Sequence, residues 1–209
     1  MIKFLILTLF FNTLSISSYA LSAEDVAQIY KESKITASNV FIGDSLTWYV
    51  PWNELLGNKN VLNRGRSADT TAAILKRMDG VLSAQPKRAF LMMGMNDALE
   101  EKTTVDKTLS NYQNIIDLLK KNEISIVVVS TSPCNKVLNK KCVYGLPKII
   151  EINARLKLLT KKYNIPYLDL YSLLSGKDGL EAKYAGDGIH FNLEGYKLWV
   201  SLVAPYVLS

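Results

Sequence analysis

The sequence has few residues that bind metal ions through nitrogen or sulfur. Its 209 residues include one histidine, His190, and two cysteines, Cys134 and Cys142. A zinc site takes four ligands, drawn mainly from thiolates and imidazoles, and the chain offers too few of these to favour a metal centre. We therefore expect no metal ion in its chemistry.

Long hydrophobic runs are also missing. Residues 4–11 are apolar, but polar residues end this run well short of the roughly 20 residues that a membrane-spanning helix needs. The basic Lys3 before the run and the small residues that lead to Ala20 are typical of a secretory signal peptide. The sequence predicts a signal peptide over residues 1–20, cleaved after Ala20. The mature chain is then expected to be exported, to the periplasm or outside the cell, without stable membrane insertion.

Blocks of like charge are equally scarce. Lysine and arginine number 25 against 19 aspartates and glutamates, and the formal net charge is +6. The basic residues are dispersed, and each adjacent pair suits a helix end or an exposed loop: Lys120-Lys121, Lys140-Lys141 and Lys161-Lys162. Because this pattern forms no basic patch, we expect no nucleic-acid partner.

From Ser38 onward, short apolar runs alternate with longer amphipathic segments. The apolar runs cover residues 40–42, 60–62, 89–93, 124–129 and 167–170. The helical patterns cover residues 70–82, 105–121, 147–163 and 193–208. This alternation predicts an α/β fold in which helices cover both faces of a parallel sheet. Because the sequence has no repeat or linker, residues 21–209 are expected to form a single domain that binds ligands beyond the carboxyl ends of the strands.

A serine stands directly after the first predicted strand, in the run Gly43-Asp44-Ser45-Leu46. A glycine turn that leads into a helix exposes the serine hydroxyl and directs the serine N–H to the same space. This arrangement suits a nucleophile beside an oxyanion site. Aspartate and serine are also ordinary capping residues at a helix start, so this run alone leaves both roles open.

The second and third predicted strands are followed by Asn63-Arg64-Gly65 and Gly94-Met95-Asn96-Asp97. A glycine lets a ligand approach its N–H closely, and the side-chain amide of Asn96 can donate to a developing negative oxygen. Glycine and asparagine are also common in turns, which leaves a structural role open at each place. Asp44 and Asp97 are expected to hold their loops through hydrogen bonds to the backbone.

The single histidine lies in Asp187-Gly188-Ile189-His190, just before the last predicted helix. Asp187 can accept a hydrogen bond from one imidazole nitrogen and leave the other nitrogen facing a serine. The alternative is a histidine that caps the last helix. The coincidence of these features at strand ends favours catalysis, with Ser45 as nucleophile, His190 as general base and Asp187 as the orienting carboxylate.

Cys134 and Cys142 lie close together in a stretch rich in asparagine, lysine and proline. In an oxidising compartment, such a pair favours a disulfide that pins a loop. Two unpaired thiols remain the alternative, because the sequence alone does not give the separation of the two Cα atoms.

Three aromatic residues, Trp48, Tyr49 and Trp52, closely follow the candidate nucleophile. Aromatic faces stack well on apolar ring surfaces, so these residues could line an acyl or a sugar site. They could equally pack the first helix against the sheet. The sequence leaves both roles open.

These runs resemble, in the same order, the four sequence blocks of the SGNH or GDSL-type hydrolase superfamily. The resemblance covers the chain from about Val40 to its end. It implies a flavodoxin-like three-layer α/β/α sandwich with a five-stranded parallel sheet, and ester hydrolysis without a cofactor. It also implies a triad and an oxyanion hole: the triad is Ser45, Asp187 and His190, and the oxyanion donors are the N–H groups of Ser45 and Gly65 and the side chain of Asn96.

Residues 63–71 and the run from His190 to Trp199 resemble the branch that contains platelet-activating-factor acetylhydrolases and many bacterial carbohydrate esterases. That branch commonly has a second glycine where this chain has Ala68, a departure that bears on the subfamily. The resemblance implies hydrolysis of short acyl esters, acetyl above all, with a small-molecule or glycan ester as substrate. The alternatives are a lysophospholipase or thioesterase that acts on lipid esters, and an O-acyltransferase with the same triad.

Overall fold

The computed structural model describes residues 22–209. The predicted signal peptide, residues 1–20, therefore lies outside the described residues. Within residues 22–209, no helix combines the length and the apolar character that crossing a membrane requires.

Five parallel strands form the central sheet of the described chain, in the order β2-β1-β3-β4-β5. They are β1 (Asn39–Gly43), β2 (Val61–Gly65), β3 (Arg88–Met92), β4 (Ser125–Val129) and β5 (Tyr167–Leu168). The strands are rich in valine, isoleucine, leucine and phenylalanine, which are buried because helices cover both faces. The register pairs Gly43 with Gly65 on one side and with Met92 on the other, so the carboxyl ends of these three strands lie level.

The helices surround this sheet. In chain order they are α1 (Ala23–Glu32), α2 (Ser45–Trp48), α3 (Trp52–Leu55), α4 (Thr71–Lys76), α5 (Met78–Leu82), α6 (Met95–Leu99), α7 (Val105–Lys121), α8 (Cys142–Tyr163), α9 (Leu170–Leu174) and α10 (Leu193–Val203). A short hairpin of β6 (Ser175–Gly176) and β7 (Gly179–Leu180) follows α9, and a 3₁₀ turn (Ala204–Tyr206) follows α10.

The two faces of the sheet pack against separate sets of helices. On one face, the Trp52 ring of α3 stacks on Phe41 of β1, with ring centroids 4.0 Å apart, and meets Trp199 of α10 edge-on at 4.7 Å. Phe90 of β3 stacks on the other side of Phe41 at 4.5 Å. On the opposite face, α4 and α8 flank α7, whose Tyr112 is fully buried. This is the three-layer α/β/α architecture that the sequence predicts.

The direction of the chain across the sheet reverses at β1, because the chain passes outward to β2 and then returns to β3. The crevice beyond the carboxyl ends of β1 and β3 is the topological switch point, where open α/β sheets bind ligands. Ser45 follows β1 and Asn96 follows β3. The topology therefore places both candidate residues at this crevice.

Three predicted helices have different bounds in the structure, two of them in the middle of the chain. The helix predicted over residues 70–82 is two helices, α4 and α5, that meet at Arg77. The buried Arg77 side chain donates hydrogen bonds to the main chain of β1 and β2. The local sequence pattern does not reveal such tertiary contacts, so it does not predict the break. The helix predicted to start at Pro147 begins earlier, at Cys142, and contains the proline. A proline at this position forfeits one main-chain hydrogen bond.

Predictions near the two ends of the described chain also differ. The fifth strand of the central sheet ends at Leu168, because Asp169 caps α9 instead of continuing the strand. Helix α10 ends at Val203, close before Pro205, which lacks the N–H that the helix would need. Helix α1 is not among the predictions, although Ser22 and Asp25 form the capping box that marks its start.

Candidate active site

Ser45 is the first residue of α2, directly after β1. Asp44 caps this helix, since its Oδ1 accepts a hydrogen bond from the N–H of Leu46 at 3.0 Å. Gly43 permits the tight turn, because a Cβ there would overlap the Thr47 side chain and the main-chain oxygen of Met92. The first N–H groups of a helix have no partner inside the helix, so the N–H of Ser45 is available at the start of α2.

Ser45, His190 and Asp187 form a chain of hydrogen bonds. Ser45 Oγ lies 2.9 Å from His190 Nε2, and His190 Nδ1 lies 2.7 Å from Asp187 Oδ2. With its Nδ1–H directed at a carboxylate, the imidazole has Nε2 free to accept the serine proton. The fold therefore brings together the three residues that the sequence predicts as a triad.

The Asp187 carboxylate keeps its charge in weakly acidic solution. Partial burial acts to raise its pKa, but hydrogen bonds outweigh that effect and hold the pKa of Asp187 below its usual range. The donors are the His190 side chain, at 2.7 Å, and the N–H groups of Ile189 and His190, at 2.9 and 2.8 Å. An ionised Asp187 can stabilise the imidazolium that forms when His190 takes a proton.

Residues 187–190, which we call the base loop, rest on the segment between β4 and α8. Gly188 has the left-handed φ of 80° that glycine adopts readily. Its carbonyl oxygen accepts a hydrogen bond from the N–H of Asn135 at 2.8 Å. Cys134 and Cys142 are joined as a disulfide, with Cα atoms 5.7 Å apart. The disulfide therefore closes the segment that supports the base loop.

Asn96 lies in the first turn of α6, after Gly94, whose φ is 103°. Its Nδ2 donates to the main-chain oxygen of Asp69 at 2.9 Å. This bond fixes the half-buried side chain and leaves the second N–H of the amide for a ligand. A donor fixed in this way can stabilise negative charge that develops near Ser45.

The hydrogen bonding of Gly65 argues against its predicted place in the oxyanion hole. Its N–H donates to Oδ1 of Asn63 at 2.8 Å. The glycine has a different use, because a Cβ at this position would lie 2.5 Å from the nitrogen of Trp48 and 2.8 Å from the carbonyl carbon of Thr47. Gly65 thus allows α2 to pack directly against β2.

Ala68 offers a main-chain N–H next to the residue that Asn96 contacts. Among residues 22–209, this N–H has no hydrogen-bond acceptor. The φ of Ala68 is 63°, in the left-handed region that glycine adopts without steric cost. This conformation gives a physical reason for the glycine that the resembling branch commonly has at this position. The sequence shows the departure but not the backbone conformation that explains it.

A buried ion pair, which the sequence does not predict, connects the strand ends under the site. Arg77 Nε donates to Asp69 Oδ2 at 2.6 Å, and both side chains are buried. Arg77 Nη1 donates to the oxygen of Arg64 at 2.8 Å, and Nη2 donates to the oxygen of Gly43 at 3.1 Å. Arg77 therefore ties β1 and β2 to the segment that holds Asn96. An arginine in an amphipathic pattern suggests a solvated position, so the sequence carries no signal for this role.

The two aspartates next to the candidate residues hold their loops, as expected. Asp97 Oδ2 accepts from the N–H of Thr71 at 2.8 Å, and its Oδ1 accepts from the Thr71 hydroxyl at 2.5 Å. Burial raises the pKa of Asp97. Burial also raises the pKa of Asp44 to about 7. Asp44 Oδ2 has no hydrogen-bond partner among residues 22–209, which leaves its negative charge poorly compensated.

The structure separates the three aromatic residues that follow Ser45. Trp52 is buried in the core, where it stacks on Phe41. Trp48 and Tyr49 are exposed, and the Tyr49 ring meets the His190 ring edge-on with centroids 5.6 Å apart. Trp52 therefore has the packing role, whereas Trp48 and Tyr49 lie on the surface beside the triad.

The site has the groups that acyl transfer through a serine requires. A hydroxyl is hydrogen-bonded to an imidazole, and the imidazole is hydrogen-bonded to a carboxylate. N–H donors follow the ends of neighbouring strands. Within residues 22–209, no group of three or more histidine, cysteine, aspartate or glutamate side chains is placed to hold a metal ion.

Comparison with known proteins gives a consistent result. Residues 41–198 match the GDSL-like lipase/acylhydrolase family. A protein described as an acylhydrolase from Bacteroides fragilis NCTC 9343 has a TM-score of 0.76 at 26% sequence identity, over 88% of this chain and 94% of that chain. A GDSL-like lipase from Bacteroides thetaiotaomicron VPI-5482 shares the fold, with a TM-score of 0.76 at 23% identity over 88% and 96% of the two chains.

Among curated proteins, an N-acylneuraminate cytidylyltransferase from Streptococcus agalactiae serotype III (strain NEM316) is 27% identical over 196 residues. The match covers 90% of this chain and 44% of that protein, so the chain spans less than half the length of this relative. The family match covers most of the chain and includes Ser45, Asn96, Asp187 and His190. The chain therefore belongs to the GDSL-like lipase/acylhydrolase family.

Proposed function

We propose that the chain hydrolyses short-chain acyl esters, acetyl esters above all, of sugars or similarly polar alcohols. The observation that carries the proposal is the continuous chain of hydrogen bonds from Ser45 through His190 to Asp187, at the switch point of the sheet. Ser45 is the proposed nucleophile, His190 the general base and Asp187 the orienting carboxylate.

The proposed reaction has two steps. Ser45 Oγ attacks the ester carbonyl carbon while His190 Nε2 takes the hydroxyl proton. The imidazolium then gives this proton to the leaving alcohol oxygen, and an acyl-serine remains. Water attacks the acyl carbon and gives a proton to His190, the bond between this carbon and Ser45 Oγ breaks, the free acid leaves, and His190 returns the proton to Ser45. Asp187 keeps its charge throughout and stabilises the imidazolium.

The proposed oxyanion donors are the N–H of Ser45, the side chain of Asn96 and the N–H of Ala68. Ala68 replaces Gly65 because the Gly65 N–H is taken by Asn63, whereas the Ala68 N–H is unused within residues 22–209. Three preorganised donors of this kind stabilise the negative oxygen of the tetrahedral intermediate.

A backbone substitution tests this exchange of donors. Replacing Ala68 by its α-hydroxy acid analogue, lactic acid, removes the N–H and leaves the side chain unchanged. The kcat should fall about a hundredfold or more, as it does on loss of one oxyanion donor. Glycolic acid at position 65 is the matched control and should lower kcat far less. A larger loss at position 65 than at position 68 would contradict the assignment.

Short acyl chains are supported by the short connections at the switch point. One residue, Asp44, separates β1 from α2, and two residues separate β3 from α6. Such connections leave little chain from which to build a deep apolar tunnel. A longer acyl chain gains about 0.8 kcal/mol per methylene only where a wall receives it.

The acyl preference is tested by kcat/KM for acetyl, butyryl, octanoyl and palmitoyl esters of one alcohol. A steady fall beyond butyryl is the expected result. A maximum at octanoyl or palmitoyl would replace the proposal with a lipid esterase or thioesterase. Product analysis with an added sugar acceptor separates hydrolysis from acyl transfer, because a transferase would form a new ester in place of the free acid.

A sugar as the alcohol is supported by the curated relative, whose name refers to an N-acylneuraminate, a sugar acid. The substrate screen should therefore include O-acetylated N-acylneuraminates beside acetylated neutral polysaccharides. Release of acetate from one of these sugars, at a higher kcat/KM than from ethyl acetate, is expected. Equal values for the sugar esters and ethyl acetate would count against a sugar substrate.

We also propose that the chain is exported and that residues 1–20 are removed. The disulfide between Cys134 and Cys142 supports this location, because disulfides persist in oxidising compartments. Expression with the complete leader, followed by mass spectrometry of the exported fraction, should find an N-terminus at Leu21. A protein found inside the cell with Met1 or Ile2 at its N-terminus would contradict the proposal.

A further inference from the structure

Two exposed aromatic side chains stand beside the triad without a packing role. The exposed fractions of Trp48 and Tyr49 are 52% and 58%, whereas that of Trp52, in the next helix, is 1%. The rings of Trp48 and Tyr49 lie with centroids 5.3 Å apart and planes tilted by 35°. The Tyr49 ring also meets His190 at 5.6 Å. We call Trp48 and Tyr49 the aromatic pair.

The backbone that carries the aromatic pair is held from below by β2. Asn63 Nδ2 lies within hydrogen-bond distance of three main-chain oxygens, those of Thr47 at 2.9 Å, Trp48 at 3.0 Å and Val50 at 2.9 Å. Gly65 lets this turn pack against β2, since a Cβ there would meet the Trp48 nitrogen. A ligand that stacks on the pair would therefore meet a preorganised surface, which lowers the entropic cost of binding.

The polar atoms of the aromatic pair are also available. The neighbouring Trp52 and Tyr196 use their polar atoms inside the fold, in hydrogen bonds to the oxygens of Thr47 and Leu46, whereas the side chains of Trp48 and Tyr49 are exposed. An apolar face with a polar group at its edge suits a ligand that is itself apolar on one face and rich in hydroxyl groups at its rim. A sugar ring has this chemistry, whereas an acyl chain has no use for the polar atoms.

The position of His190 decides which part of the ester meets the pair. The general base must return its proton to the leaving alcohol oxygen, so the alcohol lies on the His190 side of the scissile bond. Tyr49 is the aromatic ring in contact with His190. Asn96, the proposed oxyanion donor, follows a different strand, β3. With the alcohol oxygen on the His190 side and the carbonyl oxygen held by the oxyanion donors, the acyl group takes the remaining position on the tetrahedral carbon.

We propose that Trp48 and Tyr49 form the subsite for the alcohol part of the substrate and that they stack on its sugar ring. This inference rests on the proposed function, since it assigns a binding role within the same site. Trp48 and Tyr49 determine the preference for the alcohol, and the triad and the oxyanion donors perform the chemistry.

The test compares two acetyl esters that differ in the alcohol alone: an O-acetylated methyl glycoside and ethyl acetate. For Trp48→Ala and Tyr49→Ala, kcat/KM on the sugar ester should each fall about tenfold, which corresponds to about 1.4 kcal/mol. On ethyl acetate, kcat/KM should fall by a clearly smaller factor than on the sugar ester. Trp48→Phe and Tyr49→Phe should retain most of the activity on the sugar ester, because each keeps a ring.

Leu158→Ala is the matched control, since Leu158 is an exposed apolar residue of α8, 69% accessible, and should affect neither ester. An equal loss on both esters in the alanine variants would overturn the inference in favour of a structural role for α2. A loss that grows with acyl length at constant alcohol would overturn it in favour of an acyl site. If the unmodified chain cleaves ethyl acetate but no sugar ester, this inference fails while ester hydrolysis stands. If it cleaves neither ester, the proposed function fails.

Discussion

The two halves of the proposed site, one with Ser45 and one with Asp187 and His190, are built differently. Ser45 is 8% exposed and lies at the buried ends of the central strands, over the ion pair of Arg77 and Asp69. Asp187 and His190 lie in the base loop, with 56% and 38% of their side-chain surfaces exposed. The first half is part of the core, whereas the second half is a surface loop with hydrogen bonds of its own.

Because of this difference, stability and activity should depend on each other in the Ser45 half and not in the half with Asp187 and His190. A change under Ser45 disturbs buried hydrogen bonds that also hold β1 and β2 together, so it should lower stability and activity at once. A change in the base loop leaves the core untouched and should lower activity alone. Stability and turnover measured on the same variants separate the two halves.

The largest expected effect is the loss of turnover in Ser45→Ala and His190→Ala. Each should lower kcat by about 10⁴-fold or more, and the double variant should be scarcely worse, because the residues act as a unit. The measurement is steady-state hydrolysis of an acetyl ester together with thermal melting. His190→Ala should melt close to the unmodified chain. Multiplicative losses in the double variant would contradict a joint mechanism.

Arg77→Met should lower stability, whereas His190→Ala should not. It leaves the buried Asp69 carboxylate without its main partner, so the free energy of unfolding should fall by about 3–5 kcal/mol. Arg155→Met is the matched control, because Arg155 pairs with Asp106 and Glu151 on an exposed surface and should cost less than about 1 kcal/mol. Denaturant titrations measure both. Similar losses of unfolding free energy in the two variants would show that the buried Arg77 stabilises the fold no more than a surface arginine does.

Asn96→Ala should lower kcat by about a hundred- to a thousandfold with a smaller change in KM, because one of the proposed oxyanion donors is lost. The bond from Asn96 to the Asp69 oxygen is lost as well, so a modest fall in melting temperature is expected. Steady-state kinetics on one acetyl ester provide both constants. A rise in KM alone would make Asn96 a binding or turn residue.

The last expected effect concerns stability alone: a pH dependence of unfolding that arises from Asp44. Burial raises its pKa to about 7 in the folded chain, above the usual value near 3.8, so the folded state binds this proton more tightly. The stabilisation is fully present below about pH 4 and is lost as the pH rises through 7. Each unit of pKa difference is worth about 1.4 kcal/mol.

Comparison with Asp44→Asn isolates this contribution, because the asparagine keeps an oxygen for the N–H of Leu46. Between pH 4 and pH 8, the unfolding free energy of the original chain should fall relative to that of the variant. Parallel curves over this range would show that the ionisation of Asp44 is not coupled to folding.

The sequence predicts most of the fold, because its signals are local. Helix α7 begins at Val105 and ends at Lys121, as its apolar spacing predicts. The five predicted strands are all present in the sheet, although their ends shift. The break at Arg77 could not be predicted, because its cause is a set of hydrogen bonds to Gly43 and Arg64, which lie distant in sequence.

The same limit applies to the site. The hydrogen bonds that join Ser45, His190 and Asp187 agree with the spacing of the motifs. The use of Gly65 could not be predicted, since a glycine pattern does not tell whether the N–H faces a ligand or whether the missing Cβ makes room for a neighbour. Here the Trp48 nitrogen fills that space, and Ala68 has the unused N–H.

Covalent labelling tests the central claim, that the base loop activates Ser45 as the nucleophile of an ester hydrolase. An alkyl fluorophosphonate forms a P–O bond with an activated serine and releases fluoride, and mass spectrometry of the peptides locates the adduct. The account predicts one adduct, on the peptide that contains Ser45, none in Ser45→Ala, and labelling slowed about a hundredfold or more in His190→Ala. An adduct on another residue, or labelling of Ser45 at the same rate without His190, would contradict it.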